Sequence, residues 1–333
     1  MSNKFHVYFK DMPYYGYTMP ENIDFAPVNG FPSGTASAWI VVENDFAGFP
    51  PNDEDVTGLE PVRTGALKVT QAHEFMHALQ FNINVYQSGW LMESHATWAE
   101  DAVYDGINDW HWYINRFLVT PSLPVFNRYV YGSAFFQNWL SETYGVDTPR
   151  RVWNAARSMS GADAIQSVAF GGSWEPMKTF AVAQATLGIS DFTTDKASSI
   201  VPDPARLLRA THASYPVSVS IPDATKQTSN AAPYGLGANY VEFAPGSASG
   251  TLTLTFDGAD GYAWRVYALV YGAKNGPTTV PMTLDAGSAG SLIVSGFGKT
   301  ATRVVLVAAI ADDSGVQVPF DYGASVGSAL ATR

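Results

Sequence analysis

Apolar and polar positions change rhythm once along this chain. From Leu67 to about Ser190 the apolar residues recur at helical spacing, in long stretches with few Gly or Pro breaks. Beyond Tyr215 they alternate in short runs, such as Val217-Ser218-Val219-Ser220-Ile221, Thr251-Leu252-Thr253-Leu254-Thr255-Phe256 and Val304-Val305-Leu306-Val307-Ala308, separated by Gly, Asp, Ser and Pro. Such alternation between turn residues predicts antiparallel strands with one face buried. The first sixty-odd residues read as strands and loops, including Ala38-Trp39-Ile40-Val41-Val42 and an acidic loop, Asn52-Asp53-Glu54-Asp55. The expected organisation is an α+β domain over residues 1–208, strands first and helices after, then an all-β antiparallel sandwich over 209–333. Tryptophan follows the same divide, with eight of nine at or before Trp174 and only Trp264 beyond. No solenoid-type repeat is present.

Composition narrows the function classes. Of 333 residues, 46% are hydrophobic, 14% aromatic and 15% charged, which excludes a disordered chain and supplies material for two cores. Nineteen basic against thirty acidic residues, a net charge of −11, argues against nucleic acid or an anionic membrane as partner. No apolar run of about 18 residues occurs, so no membrane span is expected. Met1 to Phe9 lacks the apolar core of a signal peptide, and a secreted, bacterial, extracellular protein whose leader is not in this chain is expected. Cysteine is absent, so a metal would be held by His, Asp, Glu or backbone oxygen.

The chemistry concentrates in His73-Glu74-Phe75-Met76-His77. Good helix formers flank it without Gly or Pro, predicting one helix over residues 66–83. Four residues apart, His73 and His77 project from one face and can share a metal ion. Glu74 sits about 100° around the helix, beside the ligands, where a general base belongs. With 6 His in 333 residues, random order yields this pentapeptide about three times in a thousand chains. The metzincin arrangement, with Gly three residues after the second His and a third His three beyond, fails because Gln80 and Ile83 hold those places. The remaining route is a carboxylate from a second, antiparallel helix, which Trp90 to Asp101 predicts and which carries Glu93 and Glu100.

Here the chain resembles the gluzincin peptidases, the thermolysin and aminopeptidase-like zinc metallopeptidases. Leu91, Glu93, Ala96, Trp98 and Glu100 match their second-helix signature, with Ser94 in place of the usual Gly and fifteen residues between His77 and Glu93, fewer than is typical. The resemblance implies a zincin-like catalytic domain with Zn2+ on His73, His77 and Glu93, and with Glu100 held in reserve or placed behind the ligands. It also implies a tyrosine ahead of Gly132 as oxyanion donor, Tyr129 by position or Tyr131 as the alternative, in Tyr129-Val130-Tyr131-Gly132. Zincin folds pair an extended peptide with an edge strand beside the active-site helix; Thr35 to Val42 has suitable alternation for it, or for an ordinary central strand.

Other polar residues read more plainly. His95 is expected to be a partly buried histidine bonded to backbone, His111 a core or interface residue, and His6 and His212 have no partners nearby in sequence. Asp101, Asp105 and Asp109, with the Asn52–Asp55 loop, offer calcium-type oxygens, but fit no EF-hand loop and read as solvated charge. The resulting expectation is a zinc endopeptidase that acts on protein or peptide substrates. The C-terminal domain is then an accessory module for a surface or glycan ligand. The competing expectation is a non-catalytic secreted binding protein with a structural zinc site. An aminopeptidase would need an acidic anchor for the substrate amine, and no Gly-Ala-Met-Glu-type motif precedes the helix.

Overall fold

Three strands open the chain, β1 (Val7–Lys10), β2 (Gly16–Phe25) and β3 (Gly34–Glu43). They form a mixed sheet in the order β1-β3-β2, with β1 parallel to β3 and β2 antiparallel to it. The computed structural model describes residues 5–54, 59–193, 227–228, 232–272 and 276–327. Thr35 to Val42 lies within β3, the central strand, so of the two readings of that segment the ordinary central strand holds and the edge strand does not. The antiparallel edge is β2, because β3 carries the buried run Ile40-Val41-Val42 that only a flanked strand can cover.

Helix α1 (Leu59–Asn84) packs on this sheet through Ala66, against Ile40, Val42 and Phe46. It begins earlier than the sequence predicts, for two local reasons. Pro61 falls in the first turn, where a missing N–H costs nothing. Gly65 inside the helix leaves room for Asn52, whose amide oxygen would lie 2.3 Å from an added Cβ. Helix α2 (Gly89–Tyr104) follows after a short turn and is capped by Ser88, whose side chain accepts from the Leu91 N–H. Helices α3 (His111–Leu118), α4 (Ala134–Tyr144), α5 (Thr148–Ala155) and α6 (Gly161–Ala169) build outward from α2. The Trp90 indole donates to Ser133 Oγ at 2.9 Å, tying α2 to the start of α4.

The chain separates into two compact units. One comprises Met1–Phe117, Tyr129–Ser173 and Ile189–Pro202, the other Leu118–Arg128, Trp174–Gly188 and Asp203–Arg333. The expected junction at 208/209 lies outside the described residues, as do His212 and the run Val217–Ile221. Two segments within the expected first domain, 118–128 and 174–188, group with the second unit. Helix α7 (Met177–Thr186) is one of them, and its Ala181 and Ala185 cover Leu269, Val305 and Val307.

The second unit is β-rich. Its strands are β4 (Gln227–Thr228), β5 (Ala238–Phe243), β6 (Gly250–Gly258), β7 (Trp264–Gly272), β8 (Thr278–Pro281), β9 (Ala289–Phe297), β10 (Ala301–Ile310) and β11 (Phe320–Gly327). They are bonded in the order β4-β11-β6-β9-β10-β7-β8, with β5 also on β10. The link from β9 to β10 is one residue pair, Phe297–Ala301, while the long ladders are antiparallel. The ladder turns there, and Leu254, Phe256, Leu292, Val266, Leu306 and Phe320 join one core. No helix among the described residues is long and apolar enough to cross a membrane.

Candidate metal centre and cavity

Histidines 73 and 77 lie one turn apart on α1, and each has its Nδ1 proton committed. His73 Nδ1–H donates to Glu100 Oε1 at 2.6 Å, and His77 Nδ1–H donates to Gln80 Oε1 at 2.8 Å. The fully buried Gln80 is oriented in turn, since its amide nitrogen donates to the Met92 carbonyl of α2 at 3.0 Å. In the neutral rings that would bind a metal, both Nε2 atoms then present lone pairs. They lie 3.1 Å apart, and Glu93 Oε2 is 3.3 Å from that of His73 and 3.6 Å from that of His77.

With both rings neutral, two lone pairs and a carboxylate oxygen repel one another at these separations, a repulsion that a metal ion, or in its place a proton on His73 Nε2, relieves. For tetrahedral zinc with bonds of about 2.0–2.1 Å, ligand atoms lie about 3.3 Å apart, which the three edges match. The donor set of two imidazoles and one carboxylate also suits a zinc site that keeps a fourth position open. In the metal-free chain, burial opposes a charge on His73. The carboxylates of Glu100 and Glu93 outweigh it and push its pKa up to about 10. Burial opposes ionisation of Glu93 as well, yet the two imidazoles hold its carboxyl below the usual carboxylate range. Glu100 is held above that range by burial, with His73 pulling the other way. Its place is behind His73, on the nitrogen that faces away from the centre.

Glu74 is buried and its Oε2 accepts from Thr18 Oγ1 of β2 at 2.8 Å; the same hydroxyl also reaches the Glu74 carbonyl at 2.8 Å. Gly16 makes this approach of strand to helix feasible, since a Cβ there would lie 2.9 Å from Glu74 Cγ and 2.8 Å from Thr70 Cγ2. Glu74, His73 and Glu100 open onto a cavity of about 270 Å³ that Tyr129 and Tyr131 also line. The Tyr131 ring lies 6.0 Å from that of His73. Burial and the neighbouring carboxylates raise its pKa, so its phenol stays a neutral donor. The Tyr129 hydroxyl instead accepts from Arg116 at 3.4 Å.

His95 lies away from the centre and is fully buried. Its Nε2–H donates to Gln137 Oε1 at 2.7 Å, and its Nδ1 accepts from the Trp153 indole. These side-chain partners replace the expected backbone ones. Ser94 shares the network by accepting from the Gln137 amide at 2.8 Å, which gives its hydroxyl a partner where a glycine has none. Burial lowers the His95 pKa from 6.5 to about 4, although the Gln137 bond opposes this. The unfolded chain thus binds a proton near pH 6.5 that the folded chain refuses until about pH 4. Stability is expected to fall by about 3 kcal/mol as pH drops through that window, at 1.36 kcal/mol per unit. Urea unfolding of wild type and His95→Gln across this range checks it, the variant showing the flatter profile.

The acids considered for calcium separate. Asp101 and Asp105 meet Asp191 with carboxylate oxygens within 4.8 Å of one another, whereas Asp109 lines the cavity. Asp101 accepts from the Trp110 indole at 3.1 Å, and Asp191 lies 3.3 Å from buried His111, so both serve packing among the helices. In the acidic loop Asp53 accepts from Asn108 at 3.1 Å and Glu54 pairs with Lys68, while Asp55 is outside the described residues. His6 is exposed, with Nδ1 3.3 Å from the Tyr8 hydroxyl.

Residues 49–280 match the family described as "Family of unknown function (DUF6055)". The chain belongs to that family. The stretch this DUF6055 chain shares with the family includes His73, His77, Glu93, Glu74 and both tyrosines. No curated protein matches it. Among solved structures it is similar to the pre-peptidase C-terminal domain of collagenase from Bacillus anthracis. That likeness has 7% identity and a TM-score of 0.24, covering 32% of this chain and 91% of that one. A family GH115 4-O-methyl-alpha-glucuronidase is similar at 11% identity and a TM-score of 0.20, covering 80% of this chain and 39% of that one. At these scores neither likeness bears on fold or activity.

Thr18 and Gly16 carry no signal in the sequence, and Gln80 enters there only as the residue where a metzincin has Gly. Gln80 was open to discovery, since a polar residue three after His77 shares its helix face. Thr18 and Gly16 reach Glu74 from more than fifty positions away, which no local pattern reveals.

Proposed function

We propose that this chain is a zinc-dependent endopeptidase with a zincin-like catalytic unit and an accessory β-sandwich. The observation that carries the reading is the convergence of His73 Nε2, His77 Nε2 and Glu93 Oε2 within 3.1–3.6 Å, with both histidine tautomers fixed from behind. A mixed sheet with an antiparallel edge beside the His-Glu-x-x-His helix supports it further. Glu74, held at the cavity wall, argues against a centre that is merely structural.

His73, His77 and Glu93 would hold the metal, which supplies Lewis acidity to a water and to the scissile carbonyl. Glu74 takes the proton from the attacking water and passes it to the leaving amine as the carbon–nitrogen bond breaks. Thr18 keeps the Glu74 carboxylate aimed during both transfers. Tyr131 donates to the oxygen that gains charge, a task for a neutral phenol. An extended peptide along β2 would present its backbone to that strand's free edge.

The test is zinc analysis paired with a mixed-peptide cleavage profile, with and without a chelator. Chelator-sensitive internal cleavage at about one zinc per chain is expected; zinc without hydrolysis sinks the peptidase reading. Tyr131→Phe is expected to lower kcat by about 10²–10³-fold, as for loss of an oxyanion donor. Tyr129→Phe should change it far less, and steady-state kinetics on one peptide decides between them.

A further inference from the structure

We propose that Asp109, with the tyrosines around it, forms a subsite for an organic cation of the substrate, a Lys or Arg side chain or a peptide's N-terminal ammonium. This deepens the peptidase reading above and rests on it; a side chain held there keeps the cleavage internal, whereas an N-terminal ammonium held there makes it aminopeptidase cleavage. The cavity that exposes His73 and Glu74 also exposes Asp109, together with Tyr15, Tyr113 and Tyr131. Its lining includes Glu74, Glu100 and Asp109 and, among the described residues, no Lys or Arg.

Two of these acids are engaged: Glu74 by the Thr18 hydroxyl and Glu100 by the His73 ring. Asp109 is different. It is 3% exposed, and its carboxylate meets the Tyr15 hydroxyl only at 3.5 Å. A carboxyl buried without a cation is costly to keep, and a ligand's positive charge would offset that cost. Burial, and then the nearby Glu100, push its pKa up to about 8, which fits a carboxyl lacking a positive neighbour. The tyrosines supply the rest of a cation site, since their faces attract ammonium and guanidinium groups. Arg116 already lies over the Tyr129 ring, 5.1 Å from its centroid. At about 270 Å³ the space is smaller than pockets that enclose whole drug-sized ligands and suits one side chain or chain end.

The test compares the zinc-loaded full chain with Asp109→Asn and Asp109→Glu. The peptides vary one residue as Lys against norleucine and Arg against citrulline, each with a free and an acetylated N-terminus. A ratio of kcat/KM of about tenfold or more for cationic over neutral members is expected. Preference on acetylated peptides assigns the side chain, and preference for the free over the acetylated terminus assigns the ammonium. The ratio should collapse toward one in Asp109→Asn and persist in Asp109→Glu. Wild-type ratios near one, or a ratio unmoved in Asp109→Asn, overturn the subsite. Should no peptide be cleaved, the peptidase reading fails separately, and calorimetry with butylguanidinium and butylammonium decides the subsite. Binding to wild type that is lost in Asp109→Asn supports it, and absent or equal binding overturns it.

Discussion

Glu74→Gln should keep about one zinc per chain while kcat on a casein-derived peptide falls by about 10²–10⁴-fold, the usual contribution of a general base. The substitution preserves shape, and the Thr18 hydroxyl, 2.8 Å from Oε2 in the wild type, can still donate to an amide oxygen. What disappears is the capacity to take a proton from water. Because the metal ligands are untouched, KM and metal content should hold while turnover collapses. Metal analysis and steady-state kinetics on one preparation check both halves. Wild-type turnover in the variant would refute the role of Glu74, and loss of zinc would make it a ligand instead.

That prediction starts from five residues read in the chain, which shows where sequence was sufficient. Helical spacing places His73, His77 and Glu74 relative to one another, because an α-helix fixes the geometry of neighbours three and four apart. Alternation likewise predicts β6 around Thr251–Phe256, where each second residue faces the core, whereas the run Val304–Ala308 forms β10 with both faces buried rather than one, Val305 and Val307 lying under α7. The resemblance nominated Glu93, and the fold brings its oxygen to the two imidazoles. Contacts between distant segments were illegible. Thr18 meets Glu74 only because β2 lies at the sheet edge against α1, and a local reading of Thr35–Val42 could not tell a central strand from an edge. Helix α7 reads as one more helix of the first domain, since nothing local in its run of alanines announces that it covers β-strands. Asp109 was legible as an acid four residues after Asp105, but its place in the cavity depends on how the chain turns after α2.

The ligand assignment itself predicts opposite behaviour for two glutamates on one helix. Glu93→Ala should lose stoichiometric zinc, because its oxygen is the one carboxylate atom among three donor atoms that converge, 3.3 and 3.6 Å from the two histidine nitrogens. Glu100→Gln should still bind one zinc per chain, with affinity weakened by about 10–100-fold, the usual effect of removing a partner behind a ligating histidine. An amide can still accept from His73 Nδ1–H, but it no longer strengthens the imidazole as a charged acceptor does. Melting curves across a zinc titration separate the cases. Zinc at about 1,000 times its Kd contributes about 4 kcal/mol to a native state that binds it alone. Wild type should therefore gain in Tm with added zinc, Glu100→Gln should show the same gain at higher zinc, and Glu93→Ala should show none. The reverse order would move the third ligand to Glu100. It would also require His73 to bind through Nδ1, turning its ring away from the nitrogen that now faces His77 at 3.1 Å.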